Sequence, residues 1–110
     1  MSRRTDALAI HCEVKAKVAE RDSCDGWPCC RWCGKPAPTN NPLDYSCAHY
    51  IARAQGGLGI EENILTLCPA CHSRFDNNAY RAEMRPTLRR YLREHYEEWS
   101  EEKLIYRRDR

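Results

Sequence analysis

The sequence predicts a small α+β domain, stapled by a four-cysteine zinc site and carrying flanking helices. Three observations predict it. The first is a thin core. Leu, Ile, Val and Phe make up about 15% of the 110 residues, below the roughly 20% at which an unstapled chain tends to disorder. The formal net charge is only +2, so self-repulsion does not hold the chain open. The second is a count of 8 cysteines, four of them in two Cys-x-x-Cys pairs, which can supply the missing staple. The third is order along the chain. Residues 47–77 read strand, long loop, strand, helix, between helical ends.

The cysteines are expected to hold metal. No apolar stretch follows Met1-Ser2-Arg3-Arg4-Thr5-Asp6, so no secretory leader is expected there. The expected setting is the reducing cytoplasm, where disulfides are rare. No apolar run is long enough for a membrane span, so no membrane partner is expected. Cys30-Arg31-Trp32-Cys33 and Cys68-Pro69-Ala70-Cys71 can present four thiolates to one tetrahedral Zn2+. Gly34 frees the backbone to turn after the first pair. Cys29-x-x-x-Cys33 is a second spacing that a zinc site can use. The tighter Cys30 spacing is preferred because it matches the second pair. Cys12, Cys24 and Cys47 have no partner at ligand spacing and read as small semi-buried hydrophobes.

One domain is expected over residues 1–110. It divides into an N-terminal helix over 1–22, zinc knuckles and core over 23–77, and a helical extension over 78–110. Leu8, Ile10, Val14 and Val18 give an apolar stripe over 5–22, and Thr5 or Asp6 can cap its start. Residues 23–46 are rich in Gly, Pro and Asn and read as loop around the first knuckle. Residues 47–52 and 63–67 read as strands, joined through the flexible run Gln55-Gly56-Gly57-Leu58-Gly59. Pro69 suits the first turn of a helix. Pro86 predicts a break near Arg85, with a second helix over 86–98. Leu104-Ile105-Tyr106 reads as a final packing segment.

His49, Asn63 and His72 stand out by position. His49 lies near the end of the first strand, Asn63 opens the second, and His72 follows the second knuckle. Asp76 lies four residues beyond His72, on the same helical face. A histidine and a carboxylate so placed can hold a divalent metal, and a second histidine can act on a water beside it.

These residues carry a resemblance. Cys-Ala-His49-Tyr-Ile-Ala-Arg-Ala-Gln-Gly-Gly through Glu-Glu-Asn63-Ile-Leu-Thr-Leu-Cys-Pro-Ala-Cys-His72 to Phe-Asp76-Asn77 resembles the HNH endonucleases in their zinc-knuckle, ββα-metal finger form. The likeness extends upstream through Cys30-x-x-Cys33-Gly34 and Glu20-Arg21-Asp22, and more weakly downstream. It implies a phosphodiester hydrolase acting on DNA. It implies His49 as general base, Asn63 as the residue fixing the long loop, and His72 as ligand of a catalytic divalent metal (Mg2+, Mn2+, Ni2+ or Zn2+). Asp76 lies where some members place a further ligand.

Many members carry Asp, Glu or His just before the first histidine. Here that residue is Ala48, expected at an exposed strand end, and a methyl group cannot coordinate. The metal is then held by His72 and Asp76 with more water, or also by Cys47 or Asp44. The likeness to phage and prophage members implies a host-cytoplasmic setting and a phage or mobile-element protein supplying specificity.

Arg53 and Arg74 flank the histidines and are expected to meet phosphates. Arg81, Arg85, Arg89 and Arg93 recur every four residues, so Arg81 and Arg89 belong either to a phosphate-facing stripe or to a solvated charged face. Two other functions compete with the nuclease: a non-catalytic zinc-stapled DNA-binding module and a zinc-organised protein-interaction module.

Overall fold

The computed structural model describes residues 2–38 and 45–107. The elements run α1 (Arg3–Leu8), α2 (Cys12–Arg21), β1 (Ser23–Cys24), β2 (Trp27–Pro28), β3 (Ser46–His49), β4 (Ile64–Leu67), α3 (Pro69–Phe75) and α4 (Asn78–His95). The result is a small α+β fold with two antiparallel two-stranded sheets, β1–β2 and β3–β4.

The centre is β3–β4–α3. Ser46 lies opposite Leu67 and His49 opposite Ile64. β4 is buried along its whole length, which suits its Ile-Leu-Thr-Leu run. Cys68 caps α3 through its sulfur, and Pro69 occupies the first turn, where its missing N–H costs nothing. Leu65, Leu67, Phe75, Met84, Leu88 and Leu92 form the heart of the core.

The N-terminal half departs from expectation. In place of one helix over 5–22 there are two, separated by extended backbone at Ala9 and His11. The cause is tertiary. The Ala7 carbonyl accepts a hydrogen bond from the Gly59 amide at 2.9 Å, and the Leu8 carbonyl accepts one from His49. Both carbonyls lie at the end of α1, where the helix leaves acceptors unmatched.

The α4 region departs in the opposite sense. The break expected near Arg85 is absent, and α4 runs through Pro86 to His95. Pro86 is exposed, so the Ala82 carbonyl it leaves unmatched lies near solvent. Met84, Leu88 and Leu92 bury one face, and that packing holds the helix together across the proline.

The long loop between β3 and β4 is tied from outside. Leu58 N donates to the Leu104 carbonyl at 2.8 Å, and Tyr106 N to the Gly56 carbonyl at 2.7 Å. The expected packing segment 104–106 therefore adds backbone pairing to the loop. Among the described residues, no helix is long and apolar enough to cross a membrane.

Candidate functional site

The zinc knuckles meet first. The Sγ atoms of Cys30, Cys33, Cys68 and Cys71 all lie within 4.8 Å of one another. Cys33 and Cys68 sulfurs are 3.8 Å apart, close to the roughly 3.8 Å edge of a tetrahedron built on Zn–S bonds of about 2.3 Å. The donor set and its spacing fit zinc. Gly34 takes a left-handed conformation at φ 77°, as the turn after the first pair requires. Burial alone would push the Cys30 thiol up, but N–H groups of the two knuckles aimed at its sulfur bring it down to about 7. The cluster takes Cys30, and Cys29 stands outside it.

The second centre is a cleft beside β3 and α3. His49, His72, Asp76, Arg53 and Arg81 line one cleft of about 340 Å³. His49 is held through its ring: Nε2 lies 2.8 Å from the Leu8 carbonyl. A carbonyl only accepts, so Nε2 carries the proton and Nδ1 keeps its lone pair. Burial, with help from Arg53 and Arg81, lowers the His49 pKa below its usual 6.5, against the Leu8 bond that raises it. The ring is therefore neutral near pH 7.

His72 is held through its other ring nitrogen. Its Nδ1 is hydrogen-bonded to Ser46 Oγ. With the Ser46 hydroxyl turned to the Leu67 carbonyl, 3.5 Å away, the serine oxygen accepts from Nδ1–H. That leaves the Nε2 lone pair of His72 for a ligand.

Asn63 is fully buried and ties the loop at three points. Its Oδ1 accepts from Ile51 N at 2.8 Å, and its Nδ2 donates to the Ile51 and Leu58 carbonyls at 3.2 and 2.8 Å. The loop also needs small residues. A Cβ on Gly57 would lie 1.7 Å from the Ile51 carbonyl oxygen, and one on Gly59 1.9 Å from that of Ala9.

Other expected residues fall differently. Ala48 is only 2% exposed and belongs to the core, so the exposed strand end expected there is corrected. Burial raises the Cys47 thiol pKa, which disfavours Cys47 as an anionic ligand. Asp44 lies outside the described residues. Arg53 is exposed at the cleft and Arg74 is exposed on α3. Arg81 spends its guanidinium on the Phe75, His49 and Tyr50 carbonyls, at 3.1, 2.8 and 2.8 Å. Arg89 reaches the Tyr50 hydroxyl at 3.0 Å and Glu101 at 3.3 Å. Arg81 and Arg89, expected either to face phosphates or to stand in solvent, are thus partly turned inward, because the loop's carbonyls and Glu101 lie within their reach.

The knuckles and most of the cleft residues fall in one stretch of sequence. Residues 30–77 match the HNH endonuclease family. A search of curated proteins returned no match to the chain. The matched segment holds His49, Asn63, His72 and all four zinc-site cysteines. The Leu8 carbonyl that orients His49 comes from outside it. Sequence reasoning missed that contact because a backbone carbonyl has no side-chain signature. It also missed Ser46, whose role depends on the β3–β4 register.

Proposed function

We propose that the protein is a metal-dependent endonuclease that hydrolyses DNA phosphodiester bonds, leaving a 5′-phosphate and a 3′-hydroxyl. One observation carries the reading: two histidines share a cleft, His49 held at Nε2 by the Leu8 carbonyl and His72 at Nδ1 by Ser46. His49 offers Nδ1 to accept a proton. His72 offers Nε2 to a ligand.

In this reading the attacking water gives its proton to His49 Nδ1. The Leu8 carbonyl keeps the ring aimed and stabilises the imidazolium that forms. Asn63 holds the loop that follows the base. Arg53, exposed at the rim, meets a substrate phosphate. Arg81 serves indirectly, by fixing the carbonyls of His49 and Tyr50. His72 and Asp76 are the cleft residues that fit a divalent cation, since both are oxygen- or nitrogen-donor groups lining the same space. When bound there, such a cation supplies Lewis-acid stabilisation to the phosphate and the leaving oxygen.

The test is plasmid nicking by the native protein and by His49→Ala, across Mg2+, Mn2+, Ni2+ and Zn2+. Native protein should nick and the variant should not. One observation favours a second reading, a zinc-stapled DNA-binding module without catalysis: position 48 offers a buried methyl in place of a ligand. Salt-dependent DNA binding by the native protein, with no cleavage in any metal, would establish that reading instead.

A further inference from the structure

The zinc cluster uses four of the cysteines, and two of the others meet on the β1–β2 hairpin. Cys24 lies opposite Trp27. Cys29 N donates to the Asp22 carbonyl at 3.0 Å, so the pairing continues to Cys29 opposite Asp22. Alternation along an antiparallel pair then puts Cys24 and Cys29 on the same face, one step apart on the diagonal. Both line one open recess with Trp27 and Pro36. Cys24 is exposed and Cys29 is buried.

A cation stands over the pair. Arg31 places Nη2 3.5 Å from Cys24 Sγ. The same guanidinium is anchored by Nε to the Cys29 carbonyl at 3.2 Å. Its position is therefore set by the backbone of the second cysteine. Contact with Cys29 and with Arg31 lowers the Cys24 pKa. An exposed thiol beside a fixed guanidinium, with a second thiol next to it, is the arrangement that reacts with oxidants. The residues of this arrangement have no part in the cleft, and Cys24 lies outside the segment 30–77.

We propose that Cys24 and Cys29 form a redox-active dithiol, separate from the zinc site, that hydroperoxides convert to an intramolecular disulfide. The Cys24 thiolate attacks the peroxide oxygen. The O–O bond breaks, the alcohol or water leaves, and Cys24 becomes a sulfenic acid. The Cys29 sulfur then attacks Cys24 sulfur. The S–O bond breaks, the hydroxyl leaves as water with the Cys29 proton, and the S–S bond forms. Two electrons pass from the dithiol to the peroxide. Arg31 stabilises the thiolate that begins the sequence, and Cys29, on the same face of the hairpin, is the resolving thiol.

The experiment treats the zinc-loaded protein with hydrogen peroxide, alkylates the remaining thiols and maps the peptides. The expected product has lost two hydrogens, links Cys24 to Cys29 and retains its zinc. Arg31→Gln should slow the loss of the Cys24 thiol about threefold or more. Cys29→Ser, checked for zinc content, should stop at oxidised Cys24 with no link. A map in which peroxide first links or oxidises the zinc cysteines would overturn the proposal. So would oxidation of Cys24 without linkage in the native chain, or an Arg31→Gln rate equal to native. None of these readings depends on nuclease activity.

Discussion

The proposed role of His49 separates catalysis from folding at the scale of one residue. In the proposed role of general base it acts only in the transition state, so His49→Ala should lower turnover by about 10²–10⁴-fold. DNA affinity should change little, because phosphate contacts set that term. Rate and affinity measured together on the same protein check this. The pH profile adds a second measurement. The base must be neutral, and burial with Arg53 and Arg81 lowers its pKa. Cleavage should therefore persist below pH 6.5 and fall only at more acid pH. Arg53→Gln removes one of the nearby positive charges, so the acid limb should move to higher pH. An unmoved limb would show that another group titrates. Asp22 is the contrasting case, a buried charge with a structural task. Its carboxylate takes Arg21 Nε at 2.8 Å and Nη2 at 3.0 Å, and Thr66 N at 2.9 Å, with the Tyr91 hydroxyl donating as well. Asp22→Ala leaves the Arg21 guanidinium buried against the Glu61 and Ile64 carbonyls without its counter-charge. The expected loss is about 3–5 kcal/mol, read by denaturant unfolding.

At the scale of elements, the centre was legible and its supports were not. Local chemistry announces β3, β4 and α3: a buried aliphatic run, a proline at a helix start, and cysteines at ligand spacing. Asn63 was legible only through the resemblance, which implies that it fixes the loop; its three hydrogen bonds to Ile51 and Leu58 depend on the folded loop. The break between α1 and α2 was illegible, since it depends on carbonyls at one end of α1 meeting Gly59 and His49 far along the chain. The continuity of α4 was illegible for a related reason. Pro86 disfavours helix locally, and only the buried face of Met84, Leu88 and Leu92 overrides it. Pro86→Ala restores one backbone hydrogen bond and relieves a clash, so stability should rise by about 1–3 kcal/mol. An unchanged unfolding midpoint would mean that the helix already relaxes around the ring. Gly59→Ala tests the strap. Its Cβ would meet the Ala9 carbonyl at 1.9 Å, pushing α1 and its Leu8 carbonyl away from His49. Turnover should fall while the zinc stays bound. Equal turnover would release α1 from any role in aiming the base.

For the whole molecule the deciding term is the metal. The cluster joins two distant stretches: Cys30 and Cys33 lie before β3, while Cys68 and Cys71 stand at the start of α3. Cys30, Cys68 and Cys71 are buried within the same core as Leu65, Leu67 and Phe75. Without metal, four sulfurs within 4.8 Å of one another, three of them in that core, would be left with no ion to hold them together. With zinc, a structural site contributes an apparent binding free energy of roughly 10–16 kcal/mol at pH 7, comparable to the entire stability of an ordinary domain. A chelator stronger than the site should therefore unfold the protein, not merely inactivate it. Cys68→Ser removes both a ligand and the sulfur that caps α3, so it should lose zinc and the cooperative thermal transition together. The measurement is metal content beside a thermal melt, for native, chelated and Cys68→Ser protein. A chelated protein that keeps its transition would show that the apolar core suffices alone. The cleft would then stand independent of the knuckles, since β3 and α3, which carry His49 and His72, would hold their places through Leu65, Leu67 and Phe75.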